Sequence, residues 1–103
     1  MSERFYEIKD EDIRVFNKNR LHKIPLNEGG ESIGKYVVVH PKNDTEYPNE
    51  IEIGHGFHSD KALHLDEKTM DKILEHIEDG KFPKDLVERV ETEGYDIHGI
   101  CGA

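Results

Sequence analysis

Two short pairs of metal-ligating side chains recur in the second half of the sequence. His55 and His58 are separated by two residues, and so are His98 and Cys101. Three imidazoles and one thiolate are a sufficient ligand set for a tetrahedral zinc site, and Asp60 is a candidate to orient one of the rings. The spacing therefore suggests zinc binding as one hypothesis for this chain.

Strand geometry argues against that site, because residues three apart in a strand point to opposite faces. Both pairs lie in segments predicted as strands or strand ends. His55 shares its parity with the apolar Ile53, which predicts a hydrogen-bonded core histidine with His58 outside. The ligands converge only if Gly54 and Gly56 turn the chain. The chain's seven histidines, with an ordinary pKa of about 6.5, alternatively suggest pH sensitivity near neutrality.

Two further motifs suggest chemistry but do not hold up. Residues 29–35 match the start of a phosphate-binding loop, G-x-x-x-x-G-K, but Tyr36 follows where Ser or Thr should hold magnesium. Tyr36 also begins a predicted strand, whereas a phosphate-binding loop opens a helix. Cys101 has His98 nearby, but an acidic segment disfavours a reactive thiolate. The sequence therefore predicts no catalytic residue and no enzyme.

A row of carboxylates lies on one side of a predicted helix. We call this row the acidic ridge, and it comprises Glu67, Asp71, Glu75 and Glu78. Like charges four residues apart destabilise a helix by roughly 0.2–0.5 kcal/mol per pair, which Lys68 and Lys72 are expected to offset in part through contacts three residues away. Glu78 also lies at the helix end where the macrodipole disfavours negative charge. Helix stability alone does not explain this arrangement.

The formal charge of −9 is distributed unevenly. Residues 1–40 carry seven acidic and seven basic side chains, whereas residues 41–103 carry sixteen and seven. Such a field attracts basic protein surfaces and repels nucleic acid and anionic membranes. The acidic ridge, with Glu88 and Glu91 in support, is therefore expected to dock on a basic surface or groove of a partner protein. The alternative is that it is only a solvated face.

These features favour a non-enzymatic protein-binding module over the other classes. The expected function is inhibition of a basic, nucleic-acid-binding site on a partner, as phage anti-defence proteins, antitoxins and immunity proteins do. This comparison rests on a shared physical character and not on a resemblance in sequence. A cytoplasmic location without membrane contact is expected, because no apolar run is long enough for a span. A small-ligand binder or sponge remains a further alternative. It would use residues 29–35 with Lys18, Arg20 and Lys23.

The expected architecture is one α+β domain over residues 1–103. A small antiparallel sheet, mostly from residues 4–57, carries two consecutive helices within 66–93 on one face. Asp66 is the expected N-cap, Gly80 ends the first helix, and Pro83 begins the second. The alternation in residues 50–53 predicts a half-buried strand with Glu50 and Glu52 in solvent. The predicted strands are 5–8, 13–16, 21–26, 36–39 and 50–53, with a further one at 95–100.

Overall fold

The computed structural model describes residues 4–97, which form seven strands and three helices. In chain order the elements are β1 (Phe5–Glu7), α1 (Asp10–Val15), β2 (His22–Glu28), β3 (Glu31–Val39), β4 (Glu50–His55), β5 (His58–His64), α2 (Glu67–Glu78), β6 (Lys81–Pro83), α3 (Lys84–Glu93) and β7 (Tyr95–Asp96). The α+β prediction is thus confirmed in its broad form. The sheet is larger than the small one predicted.

All seven strands belong to one antiparallel sheet, in the order β6-β1-β2-β3-β4-β5-β7. Two tight hairpins build its centre: Gly29 and Gly30 connect β2 to β3, and Gly56 and Phe57 connect β4 to β5. Residues 58–64 are not among the predicted strands, yet they form β5. Their alternation is interrupted by a register shift in the β4–β5 pairing, which hides the strand pattern from the sequence.

Helices α2 and α3 pack on one face of the sheet, as predicted. Asp66 caps α2 by accepting a hydrogen bond from the Thr69 amide (2.7 Å), and Gly80 follows the helix with φ +79°. None of the helices between residues 4 and 97 has the length and apolar character needed to cross a lipid bilayer. The helices bury Met70, Ile73, Leu74, Ile77, Leu86, Val87 and Val90 in one core with Val37, Val39, Ile51 and Ile53.

The strand predicted at residues 13–16 is wrong, because most of this segment belongs to α1. Three acidic residues, Asp10, Glu11 and Asp12, occupy the first turn of α1, where the helix macrodipole favours negative charge. These three residues lie between the strands predicted at 5–8 and 13–16, and they begin a helix instead. Ile13 from this short helix and Phe16 directly after it both pack against the core. Their three-residue spacing, rather than strand alternation, anchors the segment.

The face of the sheet opposite the helices, called here the outer face, is also closed to solvent at its centre. Val38 pairs across the strands with Glu52, which pairs in turn with Ala62, and each of these three residues is at most 2% exposed. Side chains of directly paired residues share a face of a sheet. A carboxylate therefore lies in the middle of a buried surface.

Candidate functional site

The acidic ridge lies on the solvent side of α2. Its position follows from the apolar face of the helix, which packs on the sheet and turns the remaining side chains outward. All four ridge residues are exposed, as the sequence predicted. Their accessibility is a condition for docking on a partner.

Lys42 neutralises the N-terminal half of the ridge. Its Nζ lies 3.1 Å from Glu67 Oε1 and 2.6 Å from Asp71 Oδ1. The hydrogen bonds to Asp71 and then Glu67 raise the pKa of Lys42. Lys42 belongs to the polar connection between β3 and β4, so this loop supplies a cation to the helix.

Among residues 4–97 no cation pairs with the C-terminal half of the ridge, although Lys18 lines the adjoining cleft. Glu75 and Glu78 form no ion pair with any residue between 4 and 97, and the next residue, Asp79, adds a further carboxylate. The contacts expected from Lys68 to Asp71 and from Lys72 to Glu75 do not form ion pairs either. Uncompensated carboxylates thus collect at the end of α2 where the macrodipole is unfavourable.

A cleft of about 420 Å³ runs alongside this uncompensated end. One wall is α2, and the other includes the turn after α1 and Lys42. Leu74 contributes an apolar surface among the charged side chains. The lining residues are Lys18, Asn19, Lys42, Asp71, Leu74, Glu75 and Glu78.

The two predicted supporting residues on α3 lie outside this cleft. Glu88 lines a separate shallow hollow with Asp85 and Arg89. Glu91 is engaged by Lys35, whose Nζ lies 2.7 Å from Glu91 Oε2. The structure therefore groups Asp71, Glu75 and Glu78 around one cleft and does not bring the α3 glutamates into it.

Glu50 and Glu52 are buried, so their predicted solvent exposure is wrong. Glu52 is 1% exposed and Glu50 5%. Both side chains point to the outer face, which residues of the β3–β4 connection and of β7 help to cover. A buried carboxylate needs hydrogen-bond donors or a counter-charge, and each of these two has them.

His40 forms the centre of the buried network. Its Nε2 hydrogen-bonds to Glu52, and its Nδ1 lies 3.0 Å from Asp44 Oδ2. The ring is 3% exposed and meets the Tyr47 ring edge-on, with centroids 5.9 Å apart. Ionised carboxylates only accept hydrogen bonds, so the charged ring, with a proton on each nitrogen, is the form that can donate to both of them.

Asp44 ties the β3–β4 connection to this ring. Its Oδ1 accepts hydrogen bonds from the amides of Glu46 and Tyr47, both at 2.9 Å. The Tyr47 amide, followed by the His40 ring, lowers the pKa of Asp44 to about 2. One side chain thus both shapes the turn and holds the buried imidazole.

Burial and hydrogen bonding act in opposite directions on His40. Desolvation lowers its pKa, but the hydrogen bonds to Glu52 and Asp44 outweigh it, so the pKa is raised from 6.5. A raised folded pKa gives stability that is complete below the unfolded value and is lost as pH rises through the folded value. Asp44 has the opposite dependence, since its contribution is lost as pH falls through about 2.

Glu50 is the second buried acceptor on the outer face. The Tyr95 hydroxyl donates a hydrogen bond to one carboxylate oxygen, and His64 Nδ1 lies 2.9 Å from the other. Burial and then the Glu50 carboxylate raise the pKa of Tyr95. This contact fastens β7 to the sheet beyond its two-residue pairing with β5.

The buried network of His40, Asp44 and Glu52 was not predicted, although the sequence contains a signal for it. Tyr36 to Val39 is a run of four apolar residues, which is typical of a strand covered on both faces. Directly paired residues share a face of the sheet, so a cover over Val38 also extends towards its partner Glu52. The burial of Glu52 opposite Val38 follows from that shared cover.

The predicted metal ligands are only partly testable, since His98 and Cys101 lie outside the described residues. His55 and His58 are directly opposite each other across the β4–β5 hairpin, and both are exposed. The prediction that His55 is a core histidine is therefore wrong. Within residues 4–97 no group of three or more His, Cys, Asp or Glu side chains is arranged to hold a metal ion.

The segment at residues 29–35 is a β-hairpin that runs directly into β3. It opens no helix, in agreement with the expectation from Tyr36. Of the basic residues assigned to the small-ligand alternative, Lys18 lines the α2 cleft, whereas Lys23 lies over the Tyr36 ring at 4.1 Å. No contact in this part of the chain favours the small-ligand alternative.

The two acidic regions differ in what they can do chemically. Both ring nitrogens of His40 are occupied by carboxylates, so this ring has no open nitrogen for a substrate. The ridge, in contrast, offers solvent-facing carboxylates. Comparisons with protein-family models, with curated proteins and with solved structures found no match for this chain.

Replacing Asp44 by Asn is expected to lower the pKa of His40. The amide oxygen of the new side chain still accepts from the Glu46 and Tyr47 amides, so the turn is preserved, but a carboxylate that favours the imidazolium is lost. The pKa is read from the His40 ring resonances in an NMR titration. An unchanged pKa would show that Asp44 does not stabilise the charged ring.

Proposed function

We propose that this protein binds a basic surface or groove of a partner protein through the acidic ridge of α2. The observation that carries the proposal is the pair of uncompensated carboxylates, Glu75 and Glu78, beside an open cleft. Their position opposes the helix macrodipole and adds to local repulsion. Exposed carboxylates that lower the stability of the fold are well explained by a role in binding a partner protein.

Spacing supports a partner that normally binds nucleic acid. Asp71, Glu75 and Glu78 are three or four residues apart, so they repeat at roughly 4.5–6 Å along the helix axis. A row of negative charges of this kind presents the same sign as a phosphate backbone to a basic groove. Occupying such a groove would inhibit the partner without any chemistry by this chain.

The cleft adds a place for one basic side chain. An arginine or lysine of the partner would extend its charge between Glu75 and Glu78 while its apolar stem lies against Leu74. Glu88 and Glu91 on α3 have a secondary place in this proposal, because they lie outside the cleft and Glu91 already has Lys35 as its partner.

Reversing the two uncompensated charges is expected to abolish binding. The test compares wild type with Glu75→Lys/Glu78→Lys against purified nucleic-acid-binding proteins, at low and high salt, by biolayer interferometry. Wild type should bind a subset in a salt-sensitive manner, and the variant should lose that binding by about tenfold or more. A matched control, Glu31→Lys/Glu46→Lys, makes the same change in net charge at exposed positions outside the cleft.

The control separates specific docking from general attraction. Loss of binding in the ridge variant alone supports the proposal, provided that circular dichroism shows both variants folded. Equal loss in the two variants would mean that only net charge matters. Undiminished binding by the ridge variant would exclude α2 as the interface.

Removing Lys42 is expected to tighten binding to the same partner. The ammonium group of Lys42 forms ion pairs with the carboxylates of Glu67 and Asp71, so a cation of the partner must compete with it. Lys42→Met exposes both carboxylates to the partner while it keeps an unbranched apolar side chain, and the expected gain in affinity is about two- to fivefold. Lys61→Met, which removes an ammonium group that pairs with Asp96 away from α2, is the control. Weaker binding by Lys42→Met would place Lys42 itself in contact with the partner.

A further inference from the structure

The tip of the β4–β5 hairpin places two histidines directly opposite each other. Gly56 and Phe57 form a two-residue turn with φ +62° at Gly56, and the residues that flank this turn, His55 and His58, are register partners. Directly opposite residues in an antiparallel pair share a face, with Cβ atoms about 4.5–5.5 Å apart. The objection that residues three apart face opposite ways does not apply across a turn.

Close backbone packing at Gly54 shapes this hairpin. A Cβ at Gly54 would overlap the His58 carbonyl oxygen, and it would lie 2.6 Å from the Ser59 Cα. The register then shifts, because Gly54 pairs with Ser59 whereas Ile53 pairs with Lys61. Asp60 is the extra residue of this bulge. The bulge brings its carboxylate to within reach of the hairpin end.

Asp60 fixes the orientation of one of the two rings. Its Oδ2 lies 2.6 Å from His55 Nδ1, so the carboxylate accepts the Nδ1 proton and leaves Nε2 as the lone-pair nitrogen. A carboxylate behind a histidine in this way is the usual outer partner of a metal-bound imidazole. His55 is 71% exposed at its side chain, so its Nε2 is accessible to an ion from solution.

The neighbouring charges do not oppose a cation at this position. Lys35 is the cross-strand neighbour of His55, but its ammonium group is held by Glu91 at 2.7 Å. Asp60 adds a negative charge directly behind the ring. The local charge is therefore balanced or slightly negative.

We propose that His55 and His58 form an open binding site for a divalent transition-metal ion of the zinc type, with Asp60 as a positioning residue. Imidazole nitrogens are suitable ligands for Zn²⁺, Ni²⁺ and Cu²⁺, at about 2.0–2.1 Å for zinc. With two protein ligands, the remaining positions belong to water or to an outside donor. The site differs from the predicted four-ligand centre because it does not involve His98 or Cys101.

Titration of the full chain with Zn²⁺ tests this site. Isothermal calorimetry at pH 7.5 should show saturable binding of one ion per chain, and NMR should show shifts of the His55 and His58 ring signals. His58→Ala should weaken binding by more than tenfold, and Asp60→Asn by about tenfold. Acidification should weaken binding, because protonated imidazole does not bind metal.

Two control variants locate the ion. His76→Gln removes a histidine on α2 and should leave Zn²⁺ binding unchanged. Cys101→Ala should also leave it unchanged. Absence of saturable binding, wild-type affinity in His58→Ala, or loss of binding in Cys101→Ala would each overturn the proposal. Both tip histidines are exposed, so their replacement is not expected to unfold the chain.

Discussion

The burial of Glu52 is the constraint on which much of this structure depends. The Glu52 carboxylate, 1% exposed opposite Val38, needs a hydrogen-bond donor or a counter-charge. His40 supplies it. His40 in turn requires Asp44, which forms the turn between β3 and β4. The same connection carries Lys42 to the N-terminal half of α2. One buried ion pair is thus linked to the charge on the surface helix.

Carboxylates in this protein fall into two groups. Those inside the outer face each have donors: Glu52 has His40, and Glu50 has Tyr95 and His64. Those at the C-terminal end of α2 have none among residues 4–97, although lysines lie on the same helix. Because the described residues pair the buried acids but form no ion pair with Glu75 or Glu78, we expect these two exposed carboxylates to serve recognition.

The sequence predicted α2 and α3 better than it predicted the sheet or α1. Helix periodicity, the Asp66 cap and the position of Gly80 are local signals, and α2 formed as expected. The strands depended on tertiary context: β6 is only three residues long, and the bulge in β5 breaks its alternation. Glu50 and Glu52 were misassigned because alternation shows which residues share a face, but not whether that face is covered. The exposed ridge was predictable, whereas its pairing with Lys42 required the fold.

The free energy of unfolding of Glu75→Gln/Glu78→Gln tests most directly whether these charges are kept against stability. Urea denaturation compares this variant with wild type at neutral pH and low salt. Neutralising the two carboxylates should raise stability by roughly 0.5–1 kcal/mol, because repulsion and the unfavourable helix-dipole interaction are removed. A decrease in stability would contradict the account, since it would show that Glu75 and Glu78 support the fold and need no partner to explain them.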